Sequence, residues 1–143
     1  MKFRSMIRSM SQHNSKEPIP QRVLNVLVLE DDPYRQKLFK QRLYKANLEV
    51  VDSVCVAIAC LKNKEWDYLF LDHDLGGQQF VTPGENTGYA VACWLEKNPE
   101  RQPKNIIIHS LNPVGATAMQ QALPKAKYIP GCWMDIDIES HNH

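Results

Sequence analysis

Val23 to Leu29 is a nearly continuous apolar run that stops abruptly on Glu30, Asp31, Asp32 and Pro33. A strand of alternating character can lie on a surface, but one that is apolar on both faces must be covered from both sides. That is the condition of a strand inside a parallel sheet packed between helices. This single run therefore asks for a layered α/β fold, and it ends on a group of acids.

Other segments repeat the pattern. Leu48 to Val54, Asp67 to Leu71, Ile106 to Ile108 and Lys127 to Ile129 read as further short strands. Between them the apolar residues fall at helical spacing. Pro33 to Lys45 carries Leu38, Phe39 and Leu43 and opens on a proline suited to a first helical turn. Ala57 to Lys64 ends in Lys62 and Lys64, cations that suit a helix carboxyl end. Gly88 to Asn98 and a short stretch around Ala116 to Ala122 complete the helical set. Strands alternating with helices imply right-handed crossovers and a flavodoxin-like five-stranded parallel sheet of order 2-1-3-4-5, in which strands one and three flank the switch point where ligands bind.

After the fifth strand the pattern changes. Cys132, Met134, Ile136 and Ile138 alternate with Trp133, Asp135 and Asp137 in the period of a strand, so a fifth helix is expected to be missing or replaced. The uncovered flank would be closed by this tail, by the amino-terminal segment or by a second copy of the chain, and a homodimer is expected. Residues 1–21 are basic and interrupted by Pro18 and Pro20; they read as a flexible segment ahead of one domain over 22–143.

Seventeen Lys and Arg against sixteen Asp and Glu leave a net charge of +1, so no overall field draws the chain to nucleic acid, and any phosphate recognition must be local. No apolar run approaches the roughly 20 residues that cross a bilayer. Cys55, Cys60, Cys93 and Cys132 form no CxxC pair and read as reduced core thiols of a cytoplasmic protein. Trp66, Trp94 and Trp133 share no spacing and read as packing residues.

The chemistry lies where the strands end. Glu30, Asp31 and Asp32 follow strand one, and Asp72 and Asp74 follow strand three, so the predicted order brings up to five carboxylates to one edge. Like charges that close require compensation, which a hard divalent cation such as Mg2+ or Mn2+ supplies. Glu30, Asp31, Asp72 and Asp74 are the candidate ligands, although Asp31 or Asp32 could instead cap the helix that begins at Pro33. His73 and His109 flank the acids, and histidine exchanges protons near neutral pH. Two of them could divide acid and base roles. Alternation along a strand points His73 away from Asp72 and His109 away from Ser110, so both pairs share one pocket only if the strands have already ended. Asn112 and the turn to Gly115 could offer an amide and backbone donors to phosphate, or form an ordinary Asn-Pro turn.

Val26-Leu-Val-Leu-Glu-Asp-Asp-Pro33 and Asp67-Tyr-Leu-Phe-Leu-Asp72 resemble the corresponding segments of response-regulator receiver domains, over about Val23 to Ile129. The resemblance implies a magnesium site at Glu30 and Asp31, a phosphoacceptor at Asp72 and a hydroxyl position at Ser110. The chain departs from that pattern in three ways. Tyr128-Ile-Pro-Gly131 lacks the lysine receivers place after strand five, Gly76 to Asn86 is an insertion, and the two histidines are additional. Leu71-Asp-His-Asp-Leu75 and His109-Ser-Leu-Asn-Pro-Val-Gly115 resemble a narrower group, the cyclic-phosphate processing receiver domains. That likeness implies metal-dependent phosphoester chemistry. Asp72, His73 and His109 would be catalytic, Ser110, Asn112 and Gly115 would bind phosphate, and the partner would be a phosphate-containing small molecule or a nucleotide end. The alternatives are a phosphoaccepting signalling receiver and a degenerate receiver that serves as an interaction module.

Overall fold

The computed structural model describes residues 22–75 and 82–136. Its elements are β1 (Asn25–Leu29), α1 (Pro33–Arg42), β2 (Asn47–Val51), α2 (Val54–Asn63), β3 (Tyr68–Leu71), α3 (Gly88–Lys97), β4 (Asn105–Ile108), α4 (Pro113–Ala122) and β5 (Lys127–Tyr128), with 3-10 turns at Pro99–Arg101 and Cys132–Met134. The strands form one parallel sheet in the order β2-β1-β3-β4-β5. This is the flavodoxin-like order expected from the alternation of elements.

The apolar runs are central because both of their faces are covered. On one face Leu27, Leu29, Leu69, Leu71, Ile106 and Ile108 pack under α2, α3 and α4, through residues such as Leu61, Leu95 and Met119. On the other, Val26, Val28, Tyr68, Phe70 and Ile107 meet Phe39 of α1 together with Cys132 and Trp133. Each such side chain contributes roughly 1.5–3 kcal/mol on burial. Truncating Leu69, which is fully buried, to alanine would cost about 2–5 kcal/mol.

Local chemistry sets where the helices start. Asp32, Ser53, Thr87 and Asn112 each sit in extended backbone and accept a hydrogen bond from an amide of the following turn, as helix amino caps do. Two sequence boundaries are corrected by these caps. Val54 opens α2 rather than ending a strand, because Ser53 caps there, and α4 begins at Pro113 rather than Ala116, because Asn112 caps there.

The tail differs from its expected strand. Gly131, with φ 70°, turns the chain into the Cys132–Met134 3-10 turn, which lays Cys132 and Trp133 on the α1 face of the sheet. Burying those two side chains outweighs the alternating pattern. No α-helix follows β5 among the described residues, and this turn stands in its place. The amino-terminal segment, Gly76 to Val81 of the insertion, and Ile138 lie outside the described residues. The four thiols are unpaired, but only Cys132 is buried; Cys60 and Cys93 are half-buried and Cys55 is exposed. No helix among the described residues is long and apolar enough to cross a membrane.

Candidate functional site

Register builds the site. Leu29 pairs with Leu71 and Leu71 with Ile108, so the residues one step further along, Glu30, Asp72 and His109, stand side by side at the carboxyl ends of β1, β3 and β4. The ladder continues into them: the Asp72 amide donates to Leu29 O at 3.2 Å and the His109 amide to Leu71 O at 3.1 Å. Because side chains alternate, all three follow Val28, Phe70 and Ile107 onto the α1 face. Each is buried, and one ligating atom from each lies within 4.8 Å of the others.

Within this group His109 Nε2 faces Glu30 Oε1 at 3.1 Å, and Glu30 shares a hydrogen bond with Asp72. Amides hold the other oxygens: Asp32 N–H donates to Glu30 Oε2 at 3.1 Å and His73 N–H to Asp72 Oδ1 at 2.9 Å. The His109 ring stands edge-on to Phe39 and Trp133, with centroids 5.1 and 5.5 Å away, and its Nδ1 has no hydrogen-bond partner among the described residues. The Arg35 guanidinium lies 4.4 Å over the Trp133 ring and 3.8 Å from Glu30 Oε1.

Burial dominates the electrostatics. It raises the Glu30 carboxyl above its ordinary range, with Asp31 adding a smaller upward push. It raises Asp72 to about 7, against an attraction from His109 and with a further push from Glu30. It lowers His109 to about 4, so the imidazole is neutral at physiological pH and keeps a lone pair. Two carboxylates driven toward protonation beside a neutral imidazole form a costly arrangement that a divalent cation would relieve. Carboxylate oxygens suit Mg2+ and Mn2+, and an imidazole nitrogen also suits Mn2+. Glu30, Asp72 and His109 could therefore hold such an ion. Asp31 stands half-buried beside them, near enough for its charge to act on Glu30.

His73 goes the other way. Alternation turns it onto the α4 face, where its Nδ1 lies 2.7 Å from Asp74 Oδ1 and its buried Nε2 has no hydrogen-bond partner among the described residues. Asn112 Nδ2 donates to the same Asp74 oxygen at 3.1 Å. The ring fits because position 115 is glycine: a Cβ there would stand 2.3 Å from His73 Cγ. Gly88 makes similar room for the backbone, since a Cβ there would meet Asp72 O at 1.7 Å.

The expected set is thus divided between two faces. Glu30, Asp72 and His109 come together, while His73, Asp74, Asn112 and Gly115 form a second group, so the histidines do not share one pocket. The alternation survives past both strand ends because the ladder does. Asp74 belongs with His73 rather than with the other acids. Ser110 and Asn112 serve the turn: Ser110 Oγ accepts the Asn112 amide at 3.0 Å, and Asn112 Oδ1 accepts the Gly115 amide at 3.1 Å. The amide expected to reach phosphate from Gly115 is therefore already used, and His109, not Ser110, stands beside Asp72. Asp32 caps α1, accepting from the Arg35 amide at 2.9 Å. Sequence reasoning passed over Arg35 and gave Trp133 a packing part alone. Arg35 and Phe39 are four residues apart on α1, a spacing that puts both on the face toward the site; Trp133 carried no such signal.

Residues 26–125 match the family described as the cyclic-phosphate processing receiver domain. No curated protein matches the chain. Among solved structures, a CheY-like response regulator receiver domain from Methylobacillus flagellatus is 20% identical, covering 84% of this chain and 93% of its own, at a TM-score of 0.58. The receiver domain of a signal transduction histidine kinase from Syntrophus aciditrophicus is 18% identical, covering 83% of this chain and 86% of its own, at 0.62. The Mn(2+)-bound form of response regulator Rcp1 is 16% identical, covering 75% of this chain and 80% of its own, at 0.59. These likenesses establish the receiver fold.

Proposed function

This chain belongs to the cyclic-phosphate processing receiver family, and on that premise we propose that it performs metal-dependent phosphoester chemistry on a cyclic phosphate, with Mg2+ or Mn2+ held by Glu30, Asp72 and His109. The observation that carries this reading is the buried group of two carboxylates and a neutral imidazole at the carboxyl ends of three adjacent parallel strands. In such a sheet ligands bind at that edge. A bound cation would polarise a phosphate oxygen and gather charge as the ester opens.

The residues of the chain then take distinct parts. The low proton affinity of His109 suits a cation ligand better than an acid. On the opposite face Asp74 orients the His73 ring and Asn112 orients Asp74, a buried polar network that braces the end of β3 beside Asp72.

Offering 2′,3′-cyclic nucleotides with Mg2+ or Mn2+ tests the reading. Ring opening is expected, with Asp72→Ala abolishing the response to added cation. A second reading is favoured by one structural relative, a phosphorylated cyanobacterial phytochrome response regulator, 16% identical: Asp72 would accept a phosphoryl group. Acetyl phosphate separates the two. A stable acyl phosphate on Asp72 together with no turnover of any cyclic phosphate would establish the second reading and sink the first.

A further inference from the structure

We infer that Arg35, seated on the Trp133 indole, is the residue by which this site recognises the phosphate group of its ligand. The nature of the ligand rests on the proposed phosphoester chemistry, but the grounds for Arg35 are separate. The turn Tyr128-Ile-Pro-Gly131 carries no cation, so whatever positive charge the protein's own side chains add to that of a bound cation beside Glu30 and Asp72 comes from elsewhere. Arg35 is that charge. Its Nη1 is 3.8 Å from Glu30 Oε1 and its Nε 3.9 Å from Asp32 Oδ2. Those separations are ion pairs without hydrogen-bond length, so neither acid consumes the guanidinium's planar donor edge.

Two packing contacts hold the group in place. Its carbon centre lies 4.4 Å from the Trp133 ring centroid, the geometry of a cation on an aromatic face. Trp133 in turn stands edge-on to His109 and is buried on the α1 face, so the indole touches both the imidazole and the guanidinium. The Arg35 side chain keeps about a quarter of its surface open, whereas Glu30 below it is closed off. A guanidinium held in this way and still partly open keeps a planar fork of donors, and such a fork matches two phosphate oxygens. Its field also reaches the buried group, acting on Glu30, Asp72 and His109 alike. The Cys132–Met134 turn that replaces the fifth helix thereby supplies the seat for this arginine.

Two titrations of the full-length protein, followed by calorimetry, test the assignment. The first adds Mn2+ alone, to the wild type, R35Q and R35K; the second adds inorganic phosphate to the same proteins with and without Mn2+. Phosphate affinity is expected to fall roughly 10-fold or more in R35Q and by a smaller factor in R35K, which keeps the charge and loses the fork. Mn2+ affinity is expected to stay level in R35K, which keeps the charge, and to stay level or tighten in R35Q, where a positive neighbour has been removed. A purely structural arginine would lose both together. Wild-type protein that binds no phosphate in either condition, or R35Q that binds it as tightly as wild type, overturns the inference. Failure of Mn2+ to bind the wild type would instead overturn the cation site of the proposed function, and leaves the phosphate comparison in the cation-free protein standing as the test of Arg35.

Discussion

Replacing Asp72 with asparagine should make the cation-free protein more stable. The Asp72 carboxyl is buried and its pKa is raised from 3.8 to about 7, mainly by desolvation. A raised carboxyl means the folded state holds its proton where the unfolded chain has released it. The penalty is therefore absent below the unfolded value of 3.8, grows as pH rises, and is complete once pH passes the folded value of about 7. That interval corresponds to a ceiling of about 4 kcal/mol at pH 8. Asparagine has nearly the same shape, can still accept the His73 amide that Asp72 Oδ1 accepts at 2.9 Å, and carries no charge. In chelator-treated protein D72N should gain about 2–4 kcal/mol at pH 8 and almost nothing at pH 4, measured by urea unfolding. At roughly 3–5 °C per kcal/mol for a domain of this size, the melting temperature at pH 8 rises by about 10 °C. Added Mg2+ or Mn2+ should raise the wild-type melting temperature and leave D72N unmoved. Cation-free D72N that is less stable than wild type at pH 8, or a D72N gain that is the same at pH 4 as at pH 8, would refute this account of the buried carboxyl.

Three other outcomes follow from the geometry. Cation affinity, measured by calorimetry, should climb as pH approaches about 7 from below, by up to about tenfold per pH unit, because Asp72 must release its proton to bind. Gly115→Ala should cost about 1–3 kcal/mol in denaturant unfolding, since its Cβ would stand 2.3 Å from His73 Cγ, and His73→Ala in the same chain should recover most of that loss. Arg101→Ala should cost about 1–3 kcal/mol by the same measurement, because its guanidinium donates to Leu61 O at 2.9 and 2.6 Å and satisfies a carbonyl at the end of α2.

The sheet was legible in the sequence because a two-faced apolar strand has so few places to go. Val26 to Leu29, Tyr68 to Leu71 and Ile106 to Ile108 could be covered on both sides only within a parallel layer, and the alternation of elements then set the strand order. The acids at the strand ends were legible for the same reason, since they mark where burial stops being apolar. Alternation turned His73 away from Asp72 and His109 away from Ser110, but it did not say which residues of different strands would meet, and the two histidines were expected to act together. What the chain alone left open was how far that alternation persists, and the ladder bonds from Asp72 to Leu29 and from His109 to Leu71 carry it past the strand ends. Those bonds, and not residue type, put His109 with Glu30 and His73 with Asp74. Tertiary structure alone also decided the fate of the tail. A local pattern of alternating residues favoured a strand, but the open face beside Phe39 could bury Cys132 and Trp133 if the chain turned at Gly131. The gain from that contact depends on α1 and the sheet meeting first, a long-range condition that no window of sequence contains. The seat of Arg35 on Trp133 is its consequence.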